Sequence, residues 1–279
     1  MKGLLTVLIL AGLLTYSSCR NSDRDRDTST EAAEVFWMST NHFNNIMREV
    51  HRVAVVDSVL NGVDPVDALV PQVCLDSFNR APEEGPFPID LTIYYSEGTT
   101  CSGARNRAGK IHANIDGIYT NLGTKIKIHT SNYTVDGYEV SADISMEVIH
   151  QSKDTIIYDV LITNGRLVDA KNKNKITIQE GHLNFAQYQG TKTISTADDA
   201  FYISGTGNGI AQNGVIYTFN HEDLVILKAD CEYETFGSFR VKAPNQLDRI
   251  CEFGEGGGCD NVMLVSIPPA NGDQVAQIP

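Results

Sequence analysis

The chain has 279 residues and carries 35 Asp and Glu against 22 Lys and Arg, a formal net charge of −13. Such an acidic surface repels phosphate backbones, and no basic stripe or aromatic-basic cluster reverses the sign locally. Nucleic acid is thereby excluded as a partner.

The opening residues read as a secretion signal: Met1 and Lys2, an apolar run from Gly3 to Leu14 (GLLTVLILAGLL), then Thr15, Tyr16, Ser17, Ser18 and Cys19. At ~1.5 Å per helical residue the apolar run covers about 18 Å, short of the ~30 Å hydrocarbon core, so it does not read as a permanent membrane span. A cysteine directly after two serines resembles the lipobox of bacterial lipoproteins, although Tyr16 stands where that motif usually has Leu. The expectation is a signal peptide over residues 1–18, lipid on Cys19 and a membrane as partner through that anchor. An ordinary signal peptide, with Cys19 incidental, is the alternative.

Residues 20–30 (RNSDRDRDTST) have no large apolar side chain and read, with Cys19, as a solvated tether over 19–30. Asp23, Asp25, Asp27 and Glu34 fall at EF-hand ligand positions, but Thr28 replaces the glycine of the tight turn. From Glu31 to Leu60 the apolar residues Phe43, Ile46, Met47, Val50, Val53 and Leu60 recur at helical spacing, giving a helical segment within 31–70 that buries one stripe against the following domain. Ser29 or Thr30 could cap its start, and Gly62 with Pro65 its end.

Beyond Pro71 the period becomes two. Along Tyr138 to Ile149, Val140, Ala142, Ile144, Met146 and Val148 alternate with Glu139, Ser141, Asp143, Ser145 and Glu147, one dry face and one wet. Similar runs occupy Ile89 to Tyr95, Lys110 to Ile115, Lys125 to His129, Thr155 to Thr163, Ile176 to Gln179, Val215 to Phe219 and Leu224 to Leu227. Asp136-Gly137, Asn164-Gly165 and Asn213-Gly214 read as hairpin turns. The fold class expected is all-β: a long antiparallel meander (curved sheet, open barrel or sandwich) over 71–267, with one N-terminal helix and a C-terminal tail over 268–279.

Besides Cys19 there are five cysteines: Cys74, Cys101, Cys231, Cys251 and Cys259. IYYSEGTTC (Ile93 to Cys101) and CEFGEGGGC (Cys251 to Cys259) align on their last cysteine, matching Tyr95 with Phe253, Glu97 with Glu255 and Gly98 with Gly256. The spacing from Cys74 to Cys101 is within one residue of that from Cys231 to Cys259. This repeat pairs Cys74 with Cys101 and Cys231 with Cys259, and leaves Cys251 as a buried thiol.

The order Cys74, YYSEGTTC, RNRAGKI (Arg105 to Ile111), SNYTVDGYEV (Ser131 to Val140), DDAFYISGTGNG (Asp198 to Gly209), NGVIYTF (Asn213 to Phe219) and FGEGGGCDN (Phe253 to Asn261) resembles uncharacterised β-rich lipoproteins of Bacteroidota, over roughly residues 70–267. The resemblance implies an outer-membrane envelope location and no cofactor. It supplies no activity.

Catalytic patterns fail on inspection. His221-Glu222 begins HExxH, but Val225 takes the place of the second histidine. Gly205, Gly207 and Gly209 miss GxGxxG by one residue and read as a hairpin connection. The histidines at 42, 51, 112, 129, 150, 182 and 221 show no metal-ligand spacing, and Asp198-Asp199 reads as a turn cap rather than a carboxylate pair. No catalytic, cofactor or metal residue is assigned. The preferred class is therefore a non-enzymatic binding or structural lipoprotein, facing the periplasm or the cell surface, whose partner is a glycan or an envelope protein. The alternative is a glycosidase-like hydrolase whose carboxylates converge on the sheet.

Overall fold

The computed structural model describes residues 29–62, 75–99, 105–173, 175–254, 258–268 and 271–278. One α-helix, α1 (Glu31–Ala54), precedes fourteen strands: β1 (Ser77–Ala81), β2 (Ile89–Thr99), β3 (Arg107–Ile115), β4 (Lys125–Val135), β5 (Tyr138–Gln151), β6 (Ile156–Asp169), β7 (Ile176–Gln189), β8 (Ala200–Ile210), β9 (Ile216–His221), β10 (Val225–Lys228), β11 (Gly237–Lys242), β12 (Arg249–Phe253), β13 (Val262–Ile267) and β14 (Asn271–Gln277). All belong to one antiparallel sheet in nearly sequential order, an all-β meander whose edge strands β1 and β14 are not paired to each other. The exception to that order is at β8. Its first residues, Ala200 to Ile203, pair with β10, and its last, Thr206 to Ile210, pair with β9, so β9 rather than β10 neighbours β11 along the sheet.

The strand alternation read from the sequence holds most cleanly in β5, where Val140, Ala142, Ile144, Met146 and Val148 are buried and Glu139, Ser141, Asp143 and Ser145 are exposed. Asp136 and Gly137 both take positive φ (50° and 86°) between Val135 and Tyr138, which pair directly, so the expected two-residue hairpin turn is present. Asn213-Gly214 also lies in a connection, between β8 and β9, with Gly214 at φ 84° and the Asn213 Oδ1 accepting from Val215 N.

Four expectations are corrected. Asn164-Gly165 is not a hairpin but a bulge inside β6: Asn164 has φ 53°, and the register to β7 shifts between Ile162 and Gly165. A Cβ on Gly165 would lie 2.3 Å from the Gln179 carbonyl oxygen and 2.8 Å from Phe43 Cζ, so the glycine lets the sheet press on the helix. Gly205, Gly207 and Gly209 are likewise inside a strand, β8. Cβ atoms on Gly207 and Gly209 would lie 2.5 Å from Phe219 Cζ and 2.4 Å from Tyr217 Cζ, so the missing side chains make room for two β9 aromatics. The stretch from residue 268 is no tail through its described part, since β14 pairs with β13 and buries Ala276 and Ile278. The helix ends at Ala54 rather than Leu60, where Asp57 Oδ1 accepts from Val59 N and Leu60 N, both at 2.9 Å, and builds a turn instead.

The largest departure concerns how α1 is covered. A single apolar stripe predicts one buried side, yet 21 of its 24 residues are buried. The helix is about 36 Å long at ~1.5 Å per residue. The open sheet curls about it, reaching it from β3, β6, β7 and β11. Phe36 packs on Phe219 and Phe239, Trp37 on Phe253, and Phe43, Ile46, Met47, Val50 and Val53 join the same core. The concave side of the sheet is thus filled by the chain's own helix. Among the described residues no helix is long and apolar enough to cross a membrane.

Candidate functional site

Encircling a helix that is polar on its remaining faces forces polar groups into the core, where each needs a partner. The connection from β10 to β11 supplies most of them. Glu234 accepts from Trp37 Nε1, Asn41 Nδ2 and Asn44 Nδ2, each at 3.0 Å, and Glu232 accepts from Arg48 and Arg107 at 2.8 Å. Glu49 accepts from Tyr95 OH at 3.1 Å and from Arg52 at 2.9 Å. Burial opposes ionisation of Glu232, but Arg48, Arg107, Arg52 and Arg105 outweigh it and hold the carboxyl at about 2. Burial brings Arg48 down to about 10 against the pull of Glu232. Carboxylates do converge here, on Arg48 and Arg107, but an acid held at about 2 is unsuited to give up a proton near neutrality.

The outer face presents a different surface. Side by side across β8, β10 and the residue before β11 stand Tyr202, Ile226 and Phe236, in direct register. With Leu224, Val262 and Leu264 they line a groove of about 870 Å³, within the size range of ordinary ligand sites. Phe236 is 55% exposed and Leu224 50%, both large apolar side chains left to solvent beside one another. Asp223 and Glu252 give one rim a negative charge, and Ser238 Oγ donates to Asp223 Oδ2 at 2.7 Å. Tyr188 stacks on Tyr202 at 3.7 Å between ring centroids, extending the aromatic surface toward β7.

Of the residues singled out in the sequence, Cys19, Cys74 and Cys101 lie outside the described residues, as do Asp23, Asp25 and Asp27. Glu34 is on α1 and accepts from Thr30 Oγ1. Cys231 and Cys259 are joined, their Cα atoms 5.2 Å apart, in the pairing expected from the repeat. The bond anchors the residue next to Glu232, so it also steadies the connection that seats the helix. Cys251 is a buried free thiol, and burial pushes its pKa well up.

Asp198 and Asp199 divide their roles. Asp198 accepts from Thr193 Oγ1 in an exposed turn, as a cap would. Asp199 is instead buried, 2.9 Å from His51 Nε2 and bonded by Gln187 Nε2 at 2.9 Å, so for this residue the turn-cap reading is corrected. His221 ends β9 with its ring on the Gly205 carbonyl and against Phe36 of α1, and Glu222 pairs with Arg240 at 2.7 Å, so neither stands on a helix as HExxH requires. His42 takes a hydrogen bond from Arg105, and burial, Arg105 and Arg107 together push its pKa well down, so it is neutral. His182 pairs with Asp159 on the surface, and His150 is exposed. His112 and His129, distant in sequence, stand side by side.

The groove was not legible from spacing. Tyr202 and Phe236 belong to segments without a clear alternating pattern, and they meet only because β10 pairs with β8. No family model matches the chain, and neither a curated protein nor a solved structure matches it.

Proposed function

We propose that this chain is a lipid-anchored envelope protein, tethered through Cys19, that works as a non-catalytic binding module. Its ligand surface is the outer groove between β8 and β13. The observation that carries this reading is the contrast between the two faces of the sheet: the concave face is filled by α1, while the outer face keeps about 870 Å³ lined by exposed Phe236 and Leu224. An apolar groove with Asp223 and Glu252 at its rim fits an envelope-protein segment that offers an apolar side chain beside a basic one. Glycan is the second reading, favoured by the stacked Tyr188 and Tyr202 at the groove's margin.

Two measurements test it on the full chain. Metabolic labelling with an acyl analogue should mark the wild type and not Cys19→Ser; equal labelling rejects the anchor. A peptide and glycan array should then show binding to apolar peptides flanked by Lys or Arg over the same peptides flanked by Asp or Glu. Leu224→Ser with Phe236→Ser should abolish it. Both side chains are about half exposed, so the double variant should still fold. Binding that survives the double variant would remove the groove from the function, and selective glycan retention would replace the peptide reading.

A further inference from the structure

We propose that His112 and His129 form a surface site for a divalent transition metal of the imidazole-preferring class, represented by Zn²⁺. The two residues are cross-strand partners on β3 and β4 with ring centroids 4.8 Å apart and planes 16° from parallel; because an imidazole lone pair lies in its ring plane, the His129 ring turns out of this stack for the two to share an ion. Directly opposed residues of an antiparallel pair have Cβ atoms about 4.5–5.5 Å apart, the separation from which two imidazole nitrogens can reach one ion at ~2.0–2.1 Å.

The partners beside the pair suit that role. Thr92, opposite His112 on β2, is 3.1 Å from its Nδ1, which fixes the ring and leaves Nε2 as the nitrogen for a ligand bond. Among the described residues no hydrogen bond engages the His129 ring, and Asp143 stands opposite His129 on β5. One oxygen of Asp143 accepts from Asn164 Nδ2 at 2.8 Å, and the other is open to receive a metal-bound water. Thr92, His112, His129 and Asp143 thus form a row across four strands, and rigid strands hold it without a loop having to order.

Two nitrogens plus water make an open site that favours ions binding imidazole over Mg²⁺ or Ca²⁺, which prefer oxygen.

The test is titration of the full chain in detergent with Zn²⁺, in excess Mg²⁺ to occupy nonspecific carboxylates, followed by calorimetry. The expected result is one ion per chain, with affinity falling at least tenfold in either His112→Asn or His129→Asn. A third variant, His182→Asn, removes the exposed histidine paired with Asp159 and should leave the affinity unchanged. Copper loading of the same proteins adds a structural readout: the wild type should show two-nitrogen coupling in electron paramagnetic resonance, and each single variant one. Equal zinc affinity in wild type and both variants, or loss of binding only in His182→Asn, overturns the site.

Discussion

Replacing Glu232 with Gln removes one negative charge from the core and keeps the side chain's shape. Arg48 is fully buried and Arg107 nearly so, and each donates to this carboxylate at 2.8 Å. Two routes give the cost. The carboxyl sits at about 2 in the fold against an ordinary 4.5, and that difference corresponds to about 3 kcal/mol. Breaking a buried ion pair by removing one partner costs about 3–5 kcal/mol. The Glu232 side chain is only 18% exposed, so solvent screening takes little from the first figure. At roughly 2–4 °C per kcal/mol for a domain of this size, the variant should melt about 6–12 °C lower at pH 7. The pH dependence has a definite sign. Because the folded pKa lies below the unfolded one, the contribution is present in full above about pH 4.5 and is lost as pH falls toward about 2. Urea unfolding of both proteins from pH 7 to pH 2 should therefore show two curves that converge on acidification. A difference below about 1 kcal/mol at pH 7, or one that persists at pH 2, would refute the view that Glu232 neutralises the arginines round the helix.

Gly165→Ala should destabilise by about 1–3 kcal/mol, because its Cβ would meet the Gln179 carbonyl oxygen at 2.3 Å and Phe43 at 2.8 Å; chemical unfolding measures this, and a neutral result would dissolve the contact between bulge and helix. Cys231→Ser with Cys259→Ser opens a link across 28 residues and should cost about 3.6 kcal/mol on the chain-entropy account, with non-reducing peptide mapping of the wild type as the prior check on the bond. Cys251 should stay unreactive toward a thiol reagent in the native protein and react on unfolding, since it is fully buried and its thiol is held protonated; labelling at native pH at the rate of a free thiol would contradict its placement.

Period-two alternation locates a strand when one face is dry and the other wet, which is why β5 could be read from the sequence almost to its ends. It fails where side chains are absent or both faces carry mixed residues. β8 was missed because Gly205, Gly207 and Gly209 make its inner face look like a turn, when their work is to admit Phe219 and Tyr217. Asn164-Gly165 misled in a related way: the backbone conformation that suits a hairpin also suits a bulge, and only the partner strand distinguishes them. For α1 the apolar stripe was read correctly, but the polar residues Asn41, Asn44, Arg48, Glu49 and His51 looked solvated. Their partners, Glu232, Glu234, Tyr95 and Asp199, lie far along the chain, and no local window contains both sides of those bonds.

Sequence distance and register likewise account for why the outer groove and the histidine pair were hidden while the Cys231–Cys259 pairing was not. A disulfide repeat leaves identical residue types at similar spacing, a signal a sequence carries on its face. A groove or a histidine pair on a sheet is instead a product of register. His112 and His129 meet because β3 and β4 align Ile111 with Thr130 and Ala113 with Ile128, pairs fixed by burying Ile111, Ala113 and Ile128. Slipping β4 by one residue would turn His129 inward and expose Ile126 and Ile128, so the apolar face that holds the helix also dictates which outer residues stand together. The helix fills the concave side of the sheet, so the outer face is the side on which register leaves side chains such as Phe236 and Leu224 to solvent.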